Sequence, residues 1–284
     1  MKVRIGVALG GRTAMPLEQF GAVLDDLELL GFDSVWLPET FLGGTVDPVV
    51  GLAYAAARVR RLKLGTHIVT PGRPPYALAK TLAQLDRLSG GRLLLTFVAG
   101  LNDRAERAAQ GLPTGDRTKW FDEHLPRIRS WWTGDTVDGL TLDTLPQQRP
   151  LEVWLGGQAT TALDRAGRLA DGWLPGAITV ADAVAARSVI DATADRHGRA
   201  IDREHFGINI SYMWEAAPPP GSAPPRTTGD PTDVVAYGDA HLKSIMGRWI
   251  EAGFTKIVVR PVAAPPDWAT ELRRLAATVL HMQT

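Results

Sequence analysis

Apolar residues in this chain alternate between short continuous runs and longer stretches with helical spacing. The short runs read as eight strands: Val3 to Leu9, Ser34 to Leu37, Leu62 to Thr70, Arg92 to Val98, Leu151 to Leu155, Gly172 to Leu174, Phe206 to Met213 and Lys256 to Arg260. The stretches between them read as helices. In the first, Phe20, Val23, Leu24, Leu27 and Leu30 share one face before Gly31 stops the helix. Asp47 caps the next, with Pro48 in the first helical position and Val49 to Val59 following. Tyr76 to Leu88 closes on Gly90-Gly91. Later helices fall at Lys119 to Trp132, where Pro126 predicts a kink or an offset start, and at Ala159 to Leu169, Val180 to His197, Pro231 to Ala252 and Trp268 to His281. Eight alternating units predict a (β/α)8 TIM barrel, one domain over residues 1–284. Two polar stretches, Asn102 to Asp116 and the Pro/Gly-rich Ala216 to Asp230, are expected to be insertion loops, the second at the C-terminal face after strand seven. That loop reads equally as an active-site lid and as a surface insertion without a catalytic role.

Composition narrows the chemistry. A length of 284 residues suits a barrel with insertions, and 45% hydrophobic residues suffice for a large core. Basic and acidic residues balance at 31 each, so no field favours nucleic acid. There are no cysteines, which excludes thiol nucleophiles, thiolate metal sites and disulfides, and leaves redox chemistry to a borrowed cofactor. The chain starts directly in a strand pattern and contains no apolar stretch near the length of a membrane span, so a cytoplasmic location without membrane partners is expected. Abundant Ala, Arg and Gly with little Lys resembles the usage of a GC-rich bacterial genome.

In such barrels the working groups stand at the C-terminal ends of strands, which keeps the census short. Strand one ends at Gly10-Gly11, strand two at Glu39-Thr40, strand three carries His67 before Val69-Thr70-Pro71, strand four leads to Ala99-Gly100-Leu101-Asn102, and strand five reaches Gly156-Gly157. The segment Leu151 to Gly176 is the most informative, because a helix starts where a strand stops. Backbone N–H groups unpaired at that helix start, beside Gln158, Thr160 and Thr161, suit a phosphate, although a Gly-Gly pair also serves as an ordinary turn. Glu39 reads as an acid, base or orienting carboxylate, or as a cap on the next loop. His67 reads as a ligand-facing group or as a core histidine bonded to backbone. Tryptophans on strands and helices are expected to pack. The histidines show no zinc spacing, and G-x-S-x-G, Walker and G-x-G-x-x-G motifs do not occur.

Several segments in order, GFDSVWLPE (31–39), LGTHIVTPGRPPYALAKTLAQLDRLSGGRLLLTFVAGLND (64–103), FDEHL (121–125), LGGQ (155–158) and RLADGWLPG (168–176), resemble the bacterial luciferase-like monooxygenase superfamily. The match spans most of the chain, and LDRLSGGR followed by a strand and AG-x-N is its most specific part. The resemblance implies a (β/α)8 barrel that binds FMN or the 5-deazaflavin coenzyme F420 at its C-terminal mouth. It implies catalytic or cofactor-contacting roles for Glu39 and His67, and a non-prolyl cis peptide between His67 and Ile68 backing the cofactor ring. It further implies a pocket lined by Ala99, Gly100 and Asn102, a phosphate turn at Gly156, Gly157, Gln158, Ala159 and Thr160, and a homodimer. Two positions depart from related patterns: Thr40 stands where many members have His, and Leu101 where a sugar-phosphate dehydrogenase branch has its Glu proton donor. Protonation would then come from Glu39, His67, a loop residue or water.

The function expected from these readings is deazaflavin-dependent oxidoreduction, with a hydride exchanged between the coenzyme's C5 and a small organic substrate. An FMN-dependent monooxygenase is the alternative, and a cofactor-binding protein without turnover is a third.

Overall fold

The computed structural model describes residues 1–10, 15–111, 117–217 and 230–284. Gly11, residues 112–116 and residues 218–229, which hold most of the expected Pro/Gly-rich loop, lie outside the described residues. Among them the strands are β1 (Arg4–Ala8), β2 (Ser34–Pro38), β3 (Lys63–Val69), β4 (Leu93–Val98), β5 (Val153–Leu155), β6 (Gly172–Trp173), β7 (Gly207–Met213), β8 (Val235–Tyr237) and β9 (Lys256–Pro261). The α-helices are α1 (Leu17–Leu30), α2 (Pro48–Arg58), α3 (Pro75–Leu88), α4 (Arg104–Ala109), α5 (Lys119–Thr133), α6 (Thr160–Leu169), α7 (Val180–Arg196), α8 (Gly238–Glu251) and α9 (Trp268–Val279). All strand pairs are parallel, in the order β6-β5-β4-β3-β2-β1-β9-β7-β8. The sheet curls until β6 approaches β7, where Trp173 bridges Phe206 and Gly176 bridges Asn209.

Local signals set most boundaries. Asp47 accepts hydrogen bonds from the Val49 and Val50 N–H groups at 2.9 and 3.0 Å, and Gly31 ends α1 in the left-handed conformation at φ 89°. Three expectations need correction. The stretch 102–116 contains α4, because Asp103 caps it by accepting from the Ala105 and Glu106 N–H groups. Helix α5 starts at Lys119 and runs through Pro126 without the offset start. The stretch expected as one helix from Pro231 contains a ninth strand, β8, which passes directly into α8 at Gly238, whose φ is 75°. Val235 and Ala236 are buried there beside β7, and ladder pairing outweighs the helical spacing of the sequence.

Two apolar regions result. The larger lies between the sheet and its helices and includes Val35, Leu37, Ile68, Leu95, Phe97, Ile208 and Ile210. The smaller fills the inside of the curl with Ala8, Trp36, Leu174 and Val258, against which Leu94 and Trp154 pack. Glycines on neighbouring strands make room for the two tryptophans. A Cβ on Gly65 would stand 2.3 Å from Trp36 Cδ2, and one on Gly172 would stand 2.5 Å from Trp154 Cδ2. Beneath them, at the N-terminal strand ends, Asp33 pairs with Lys63 at 3.1 Å and with the buried Lys256. Burial pushes the Asp33 carboxyl up, but the Lys256 and Lys63 charges outweigh it and hold Asp33 below its ordinary value. No helix among the described residues is long and apolar enough to cross a membrane.

Gly65→Ala is expected to overpack the interior and lower stability by about 1–3 kcal/mol in denaturant unfolding. Asp33→Asn leaves Lys256 buried without its counter-charge and is expected to cost about 3–5 kcal/mol near neutral pH. Since the folded carboxyl titrates below its unfolded value of about 3.9, that stabilisation is complete above this value and fades as pH falls through the folded pKa. Unfolding curves of the two proteins should therefore converge in acid, and a constant gap down to the lowest accessible pH would contradict the pairing.

Candidate active site

The C-terminal strand ends collect three groups of side chains. The first surrounds a cavity of about 240 Å³ between the ends of β4 and β5 and the helices α5 and α6. Ala99, Gly100, Gly156 and Gly157 line it, together with Thr118, Phe121, Ala162 and Arg165. Gly157 has φ 103°, which L side chains rarely adopt, and a Cβ there would meet the Ala162 Cβ at 3.0 Å. Its carbonyl accepts from Trp173 Nε1 at 3.0 Å, which fixes the turn to β6. Helix α6 then begins at Thr160 without a side-chain cap.

Arg165 is the residue the sequence reading missed. It is buried at the cavity wall, donates to Asp122 Oδ2 at 2.9 Å and lies 3.2 Å from Thr118 Oγ1. Asp122 also accepts from Arg168 at 2.9 Å. Burial pushes the Asp122 carboxyl up, and the hydrogen bonds from Arg165 and Arg168 bring it below its ordinary value. A signal was available: in TTALDRAGRL the arginine at 165 falls between the buried Leu163, Ala166 and Gly167, so it sits on the inner face of an amphipathic helix. An arginine placed there needs a partner.

The second group centres on Glu39. Its carboxylate is buried, accepts from the Val69 N–H at 2.7 Å through Oε2 and pairs with Arg73 through Oε1. Arg73 Nε in turn donates to the Val69 carbonyl at 2.9 Å, closing a ring of contacts around the turn after β3. Burial raises the Glu39 pKa, with the Arg73 charge and the Val69 N–H pulling against it. Glu39 thus holds the β3–α3 turn, rather than capping the loop that follows it in sequence.

The third group lines the inside of the curl above the tryptophans. His67 packs against Trp36 with ring centroids 5.2 Å apart, and its Nε2 lies 3.2 Å from Asn209 Nδ2. Its Nδ1 and the hydroxyl of Thr96, its register partner on β4, are buried without a hydrogen-bond partner among the described residues. Arg260 contributes from β9, with Nη2 3.2 Å from Ser211 Oγ. Burial, assisted by the charge of Arg260, lowers the His67 pKa to about 4, so the ring is neutral at physiological pH.

The remaining expected residues are dispersed. The His67–Ile68 bond is trans, since the cis peptide among the described residues is Arg149–Pro150. Ladder pairing of His67 with Thr96 and of Ile68 with Phe97 runs unbroken through that point, and a non-prolyl cis bond costs about 3–4 kcal/mol that a regular ladder does not supply. The Ile68 side chain belongs to the outer core. Asn102 is exposed, and Gln158 donates through Nε2 to the Gly176 carbonyl. Ala159 and Thr160 stand exposed at the start of α6. The site is thus a polar layer inside the curl and an adjoining pocket with a glycine turn, a helix start and a buried arginine.

A curled parallel sheet with these groups at its C-terminal strand ends defines an α/β protein. Comparison with known proteins makes the class specific. The chain belongs to the luciferase-like monooxygenase family, whose model matches residues 2–218. A 4-hydroxyprotoasukamycin monooxygenase from Streptomyces nodosus subsp. asukaensis is 29% identical over 212 residues, 65% of this chain and 56% of that protein. A putative coenzyme F420-dependent oxidoreductase of Mycobacterium tuberculosis is 25% identical over 239 residues, 72% of this chain and 65% of the relative. The chain therefore matches less than two thirds of either relative's length. Among solved structures, an F420-dependent secondary alcohol dehydrogenase in complex with an F420-acetone adduct superposes with a TM-score of 0.82 at 17% identity, covering 100% of both chains.

Glu39→Gln would set an amide against Arg73 and leave the turn after β3 partly unsatisfied. We expect a loss of about 1–3 kcal/mol, read as a lower thermal midpoint. Full stability with lost turnover would move Glu39 from holding the turn to acting on substrate.

Proposed function

We propose that the protein is an oxidoreductase that binds the deazaflavin coenzyme F420 and exchanges a hydride between its C5 and a small organic substrate. The observation that carries the reading is the cavity at Gly156-Gly157, where an uncapped helix start and the buried Arg165 meet. Those groups fit a cofactor phosphate: a glycine turn that a Cβ would crowd, free N–H groups, and a guanidinium held by Asp122 and Thr118 before any ligand arrives. The choice of deazaflavin is supported by the relatives named for F420 dependence.

Within this reading, bound F420 supplies the hydride chemistry. The chain's residues supply position and surroundings. Arg165 and the start of α6 hold the phosphate. Gly100, at φ 81°, makes a turn at the cavity that L side chains rarely adopt and where a Cβ would crowd Val69, while Arg117 fixes this turn by donating to the Ala99 and Leu101 carbonyls at 2.8 and 3.0 Å. Glu39 and Arg73 brace the β3 turn, and His67 offers a neutral ring to substrate or cofactor. The family's eight-unit plan fits a (β/α)8 barrel in one domain, with β8 added beside β7. A cytoplasmic homodimer acting on a small molecule completes the proposal.

A second reading, an FMN-dependent monooxygenase, is favoured by the likeness to the Streptomyces monooxygenase. Titrating the apoprotein with F420 and with FMN, each oxidised and reduced, separates the two. Preferential binding of F420 at micromolar Kd or tighter supports hydride transfer. Preference for reduced FMN with oxygen consumption establishes the second reading instead. In the same assay Gly157→Val should weaken the preferred cofactor at least about tenfold, or about 1.4 kcal/mol. Unchanged affinity would remove this turn from the phosphate site.

A further inference from the structure

Asn209 lies on β7 where that strand meets the chain leaving β6, and it touches both sides of the curled sheet. Its backbone N–H and its side-chain Nδ2 each reach the Pro175 carbonyl at 2.9 Å. A carbonyl oxygen only accepts, so the amide atom facing Pro175 is the nitrogen, and the orientation of the amide follows from its partner. The same Nδ2 lies 3.2 Å from Nε2 of His67, across the interior on β3. With one Nδ2 hydrogen on Pro175, the other is directed at the imidazole. Nε2 must then present its lone pair, and a neutral imidazole carries its single proton on the other nitrogen.

We infer that Asn209 is a positioning residue that holds His67 with Nε2 as acceptor and the proton on Nδ1. The groups around the ring agree with a neutral form. Trp36 packs on it from β2, the Thr96 hydroxyl is its register partner on β4, and the charge that reaches it is the guanidinium of Arg260 on β9. Nε2 is occupied by the amide, and Nδ1 is buried among the surrounding side chains. Near neutral pH His67 then acts neither as a general base nor as an imidazolium acid. That consequence rests on the proposed active site. The tautomer does not, because it follows from the hydrogen bonds of the protein alone.

Nitrogen NMR of apoprotein labelled at histidine tests the inference, with His67 assigned by the signal lost in His67→Gln. The expected spectrum has Nδ1 protonated and Nε2 unprotonated, persisting as pH falls from neutral to about one unit above the titration near 4. A proton on Nε2 overturns the inference without recourse to any other variant. Asn209→Leu keeps the backbone bond to Pro175 and removes the donor, so the Nδ1–H preference should be lost. If that variant does not fold, Asn209→Asp replaces the donor by an acceptor, and the proton should appear on Nε2 with the titration moved upward by a unit or more. Retention of the wild-type tautomer in either folded variant shows that Asn209 does not set it. These spectra need no cofactor, so a failed F420 titration would count against the proposed function and leave them standing.

Discussion

The interior of a curled parallel sheet is a narrow space that side chains from opposite strands must share, and in this protein two indole rings claim most of its middle. Trp36 and Trp154 fit only because Gly65 and Gly172 on adjacent strands carry no side chain. Interior packing at near-crystalline density leaves no tolerance for an added methyl group at such positions. What lies above the rings is therefore fixed in height. His67 rests against Trp36, and the polar layer of His67, Thr96, Asn209 and Arg260 starts where the apolar filling ends.

This stacking divides labour along the axis of the sheet. At the N-terminal end Asp33 and the buried Lys256, with the half-exposed Lys63 beside them, form a stabilising charge cluster. In the middle sits hydrocarbon. At the C-terminal end the strands give way to turns, and glycines at 100 and 157 adopt positive-φ conformations beside the cavity. A cofactor at that end would meet two charge pairs already formed: Glu39 with Arg73, and Arg165 with Asp122. Such prior pairing keeps the groups in place before binding and reduces the ordering that binding would otherwise require.

Two arginines and one asparagine show how the site depends on distant elements. Arg165 is held by a residue of α5, Arg73 by the end of β2, and His67 by an asparagine on β7 that also closes the approach of β6 to β7. Loss of any one of these contacts disturbs a group that no neighbour in sequence can hold.

The sequence by itself determined the alternation of strands and helices, the glycine turn at 156–157 and the positions of Glu39 and His67 at strand ends. These depend on local signals: caps, glycines and hydrophobic spacing within one element. It misread the chain at Val235–Tyr237, where a short strand exists only because β7 offers it a ladder, and at 103–109, where one aspartate nucleates a helix inside a polar stretch. The alternation of Asn209 and Ser211 with apolar residues in β7 marks a polar inner face that was legible and went unread. Partnerships were not legible at all. Glu39 bonds across to the end of β3 and the turn after it, Arg165 reaches α5, and His67 meets a residue 142 positions away. Pairing across such separations is set by the curvature that brings strands and helices together, and only the tertiary structure decides it.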